Sequence, residues 1–101
     1  MEFEKKLIFR YVENRETFDA QAWVKVKAKQ KVSISGEEFT ESYTAGEPLY
    51  IGSDDPVDVF ERVERCAESG LMEHIEDLMD LVEKAKKGGY EIKVEVQKED
   101  C

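Results

Sequence analysis

Apolar and polar side chains alternate through most of the first half of the chain. In the second half the apolar ones recur every three to four residues. From Phe3 to Tyr11 the odd positions read Phe3, Lys5, Leu7, Phe9 and Tyr11, with Ile8 and Val12 on the opposite parity. That predicts a strand with one strongly apolar side. Residues 13–17 are polar and read as a turn. The next alternation is longer and cleaner. Even positions 20–34 carry Ala20, Ala22, Val24, Val26, Ala28, Gln30, Val32 and Ile34, while odd positions carry Gln21, Trp23, Lys25, Lys27, Lys29, Lys31, Ser33 and Ser35. Successive strand side chains point to opposite faces, so one face belongs to a core and the other displays four lysines in a row. Ser35-Gly36-Glu37 marks a hairpin turn. A third strand is expected over residues 38–45, rich in threonine and tyrosine, which suit a half-exposed pleat. Gly46-Glu47-Pro48 should break it, leaving Leu49-Tyr50-Ile51 as a short continuation.

The period then changes. Ser53-Asp54-Asp55-Pro56 places a capping side chain before a proline, which the first helical turn tolerates. Val57, Phe60, Val63 and Cys66/Ala67 follow at helical spacing, with Cys66 expected on the apolar face as a small hydrophobe. Ser69-Gly70 interrupts the pattern and favours two helices meeting at a corner. Leu71, Ile75, Leu78/Met79, Val82 and Ala85 resume it until Lys86-Lys87-Gly88-Gly89, a favoured helix C-terminus. A last strand, 90–96, alternates perfectly and turns Tyr90, Ile92, Val94 and Val96 inward. The expected fold is α+β: an antiparallel sheet of about four strands packed against one or two helices, in the order β-β-β-α-α-β. The 101 residues fit one domain, 1–101, with 98–101 a frayed tail.

Charge sharpens this picture. There are 15 lysines and arginines against 24 acids, a net charge of -9. The excess is concentrated in residues 36–83, where fifteen acids face only Arg62 and Arg65. Asp54, Asp58, Glu61, Glu64, Glu68, Glu73, Glu76, Asp77, Asp80 and Glu83 recur mostly three or four residues apart along the helical half. Like charges at that spacing repel by roughly 0.2–0.5 kcal/mol per pair, and a helix built for stability alone would mix signs. These ten residues are the candidate partner-binding site, facing a protein with a basic surface; the plain alternative is a solvated face.

The alternative candidate is a nucleic-acid-binding stripe of Lys25, Lys27, Lys29 and Lys31 with Trp23 as stacking platform. The overall negative charge opposes direct nucleic-acid binding. Lysines on a strand also protect sheet edges or pair across strands with Glu38, Glu41 or Glu95. His74, the single histidine, lies beside Glu73 and Asp77 but has Leu78 four residues on, so a solvated histidine is expected rather than a ligand.

No glycine-rich phosphate loop, paired zinc ligands or nucleophile elbow occurs, so neither a catalytic role nor a metal or cofactor is expected. No apolar run approaches the roughly 20 residues of a membrane span, and the N-terminus lacks an apolar signal core. A cytoplasmic protein is expected. In size and charge the chain resembles phage- or virus-encoded inhibitors of host nucleases and defence complexes, the anti-CRISPR and anti-restriction proteins. That resemblance implies a mechanism of occlusion, with carboxylates standing where phosphates would sit. A third expectation is a homodimer through the second strand, which at about 16 residues exceeds what the first can pair.

Overall fold

The structure, a computed structural model, describes residues 1–13 and 18–97. Of the turn expected at 13–17, Glu13 instead ends a strand; residues 14–17 and the tail at 98–101 lie outside the described residues. Strands β1 (Glu2–Glu13), β2 (Phe18–Ile34) and β3 (Glu37–Leu49) precede one helix, α1 (Pro56–Lys87). The sheet is an antiparallel meander in the order β1-β2-β3, so the architecture is α+β.

Register follows from the alternation. Phe3 stands opposite Ala28, Leu7 opposite Val24 and Phe9 opposite Ala22. Across the other ladder Val26 faces Ala45 and Val32 faces Phe39. Directly opposed residues share a face, so these side chains form one apolar surface and the lysines of β2 occupy the other. The β2–β3 hairpin closes on Ser35 (φ 53°) and Gly36 (φ 83°). Two left-handed residues make the turn whose twist matches that of the flanking strands.

Helix α1 starts as its sequence dictates. The Asp55 side chain accepts a hydrogen bond from the Val57 N–H at 2.9 Å, and Pro56 occupies the first turn. Val59, Val63, Ala67 and Leu71, four residues apart, are buried against Val24, Val26 and Ala28. The helix runs antiparallel to β3, since Arg62 meets Glu47 while His74, further on, meets Glu41. It lies over β2 and β3. At its end Gly89 (φ 76°) donates to Lys86 O and Tyr90 N–H donates to Ala85 O. This pair of reverse bonds satisfies the last carbonyls of the helix.

Several expectations need correction. Gly70 neither breaks nor bends the chain into two helices: α1 is continuous over 32 residues. A Cβ built at Gly70 would lie 2.5 Å from the Tyr43 ring, so the glycine admits an aromatic side chain against the helix backbone. The buried stripe stays in phase across it, Ala67 before and Leu71 after. Strand β3 is not interrupted at 46–48 but runs through to Leu49. It is an edge strand, where proline's missing N–H is tolerated. Cys66 is exposed, and its neighbour Ala67 takes the buried position. The sheet has three strands, not four. Segment 90–96 belongs to no ladder among the described residues; Ile92 and Val94 are half-buried, while Tyr90 and Val96, expected inside, are exposed. Finally, β2 is long because two strands share it. β1 pairs residues 18–29 and β3 pairs residues 22–34, so the length that suggested continuation across a two-fold axis is mostly used within the chain.

Candidate functional site

The ten acidic candidates divide by local chemistry. Asp54 serves the loop before α1, its carboxylate accepting from the Tyr50 N–H at 2.9 Å. Glu64 points toward β1 and meets Lys5 at 2.9 Å. Asp80 and Glu83 are paired one helical turn on with Lys84 (3.0 Å) and Lys87 (3.3 Å). Hydrogen bonding to Asp80 raises the Lys84 ammonium above its ordinary range. The other six, Asp58, Glu61, Glu68, Glu73, Glu76 and Asp77, are exposed and form no ion pair among the described residues. One base from the sheet therefore reaches the ten. Arg62 turns the other way, onto Glu47 of β3 at 2.8 Å, and this hydrogen bond raises its already high basicity. The unpaired carboxylates span residues 58–77 of one rigid helix, about 29 Å at 1.5 Å per residue.

The lysine ladder occupies the open face of the sheet, opposite α1. Lys29 pairs with Glu4 of β1; that hydrogen bond lowers the Glu4 carboxyl below its ordinary range and raises Lys29. The cross-strand partners expected for the ladder, Glu38, Glu41 and Glu95, do not fill that role. Glu41 lies on the helix side and meets His74 at 3.2 Å, and Glu95 pairs with Lys93. Edge protection does not explain the ladder either, because β2 is the central strand. Lys25, Lys27 and Lys31 form no ion pair among the described residues. A shallow hollow of about 300 Å³ is lined by Lys6, Lys25, Lys27, Glu4, Ile8 and Thr44. Trp23 is half-buried further along this face, with the Arg10 guanidinium 5.8 Å from its ring centre. Arg10 and Lys6 were not among the sequence candidates. Both sit on β1 at the parity opposite its apolar side, and only the register of the β1–β2 ladder brings them beside the lysines.

His74 has a partner, Glu41, which sequence spacing could not reveal. Among the described residues no group of three or more His, Cys, Asp and Glu side chains gathers to hold a metal ion, and no helix is long and apolar enough to cross a membrane. Comparisons with protein-family models, curated proteins and solved structures give no match to this chain.

Proposed function

We propose that the chain is a protein-binding module whose acidic helix docks on a basic surface of another protein and occludes it. The observation that carries this reading is the row of six exposed carboxylates on α1 that form no ion pair among the described residues. Such a row keeps like charges together at a cost to the helix and presents them on a rigid rod. A partner's lysines and arginines, normally occupied by phosphates, would be neutralised by these carboxylates. Inhibition of a nuclease or defence complex, of the anti-CRISPR or anti-restriction kind, is the specific form of this proposal. The test is capture from a cell lysate on immobilised protein, with the Asp58→Lys, Glu61→Lys, Asp77→Lys, Asp80→Lys variant alongside. A basic nucleic-acid-binding protein retained by the native chain, displaced by DNA and lost from the variant is the expected outcome. Equal retention by both sinks the reading.

A second reading has one observation in its favour: Lys25, Lys27 and Lys31 form no ion pair among the described residues and lie on the open face of the central strand, with no edge to protect. This is the nucleic-acid stripe with Trp23 as its aromatic. Gel-shift binding that weakens steeply between about 50 and 200 mM salt would support it, and absence of binding at the lower value removes it.

A further inference from the structure

The chain exposes 8208 Å². A folded monomer of 11.7 kDa is expected to expose about 5,900 Å². The excess of roughly 2,300 Å² is well above the ~800 Å² that each partner buries in an ordinary stable interface. The radius of gyration points the same way, at 19.1 Å against about 13 Å for a compact chain of this length. Part of the surplus lies on β1. Helix α1 covers β2 and β3, and the apolar side of β1 is left open beside it: Leu7 is 41%, Phe9 54% and Tyr11 72% exposed. Among the described residues the outer edge of β1 carries no strand.

We propose that segment 90–96 of a second copy of this chain lies antiparallel along that edge, completing a four-stranded sheet in each half of a two-fold dimer. Complementarity selects the register. With Glu91 opposite Arg10, Glu95 falls opposite Lys6, because both pairs are four residues apart. The intervening positions then set Ile92 beside Phe9 and Val94 beside Leu7, on the side facing α1. Apolar pairs meet on one face and opposite charges on the other, the arrangement that stabilises neighbouring strands. The surplus area points to another copy as donor, since the chain's own segment 90–96 belongs to no ladder among the described residues, and direction fixes how that copy lies. Helix α1 runs antiparallel to β3, and β3 is parallel to β1. A segment turning back from the helix end therefore runs parallel to its own β1. The same segment from a copy related by a two-fold axis through the sheet runs antiparallel.

The test is sedimentation velocity on the full chain, with circular dichroism to verify that each variant is folded. The native chain sediments as a dimer at about 100 µM; a monomer at that concentration overturns the proposal. Lys6→Glu with Arg10→Glu, or Glu91→Lys with Glu95→Lys, sets like charges opposite each other and should weaken the dimer by about tenfold or more. Mixing the two double variants restores opposite charges at both symmetric edges, and the dimer returns. Folded variants that dimerise as the native chain does, or a mixture that stays monomeric, overturn this pairing. Because the charge reversals leave Asp58–Glu83 intact, the result is independent of whether the acidic helix binds a basic partner.

Discussion

Leu7 and Val24 stand opposite each other in the β1–β2 ladder, on the same face of the sheet, yet Val24 is wholly buried and Leu7 is 41% exposed. The difference is the position of one helix. The stripe of Val59, Val63, Ala67 and Leu71 lands on β2 and β3, and β1 stays beside it with Phe9 and Tyr11 uncovered. Periodicity assigns a residue to a face. Burial depends on which part of that face another element covers.

The sharpest way to break this comparison is to truncate one side chain on each side of the boundary. Leu71→Ala empties a wholly buried site in the core cluster and should cost about 2–5 kcal/mol in urea unfolding. Phe9→Ala removes a larger side chain from the uncovered strip and, measured where the chain is monomeric, should cost less than about 1 kcal/mol. Its effect belongs instead in association, where it removes the neighbour of Ile92. Equal costs in dilute solution would mean that β1 is as covered as β2.

This division also shows what could be read in the sequence. The three strands, the parity of the lysine ladder, the Asp55-Pro56 start and the Lys-Lys-Gly-Gly end of α1 are local features, set by spacing and capping, and they were legible. Gly70 was not, because its reason is Tyr43, 27 residues earlier in the chain and one layer away. Segment 90–96 has the alternation of a strand, but a strand needs a partner, and no pattern within seven residues says whether the chain supplies one. The pairing of Arg62 with Glu47 rather than with a helix neighbour, and of His74 with Glu41, likewise depends on the direction in which α1 crosses β3. The same crossing leaves six carboxylates of the acidic site without an ion pair among the described residues.

Gly70 offers the next largest effect, and its sign carries the information. A glycine-to-alanine change inside an exposed helix normally stabilises by about 1 kcal/mol. Here the new methyl would lie 2.5–2.8 Å from ring atoms of Tyr43. Gly70→Ala should therefore fail to stabilise, losing up to about 1–2 kcal/mol as the ring is displaced. In a Tyr43→Ala background the same change should recover its usual gain, which a double-mutant cycle in thermal or urea unfolding would measure. A stabilising Gly70→Ala in the native background would show that the ring does not hold the helix at that point.

Asp55→Ala removes the side chain that accepts from Val57 N–H. The expected cost is about 1 kcal/mol, read in the same unfolding experiment. Val59 and Val63 pack into the core within the first two turns after this start. Fraying there should also lower the hydrogen-exchange protection of residues 57–60, while that of the last turn, held by Gly89 and Tyr90, stays unchanged.

The smallest effect belongs to the open face and separates its charges from those of the helix. Glu4 is held below its ordinary value of 4.5 by its hydrogen bond to Lys29. A carboxyl with a depressed folded pKa adds stability that is present above its ordinary value and lost as pH falls through the lowered one. Lys29, raised above 10.5, adds stability that is present below that value and lost as pH rises through the raised one. Glu4→Gln should therefore remove a shallow acid-side step between about pH 4.5 and the lowered pKa, along with the alkaline one, from the pH profile of stability. The variant also frees Lys29 beside Lys25, Lys27 and Lys31. If the open face binds a polyanion, Glu4→Gln should tighten that binding in a low-salt gel shift. If only the acidic helix recognises a partner, the substitution should leave recognition unchanged, because the helix and the ladder lie on opposite sides of the same sheet.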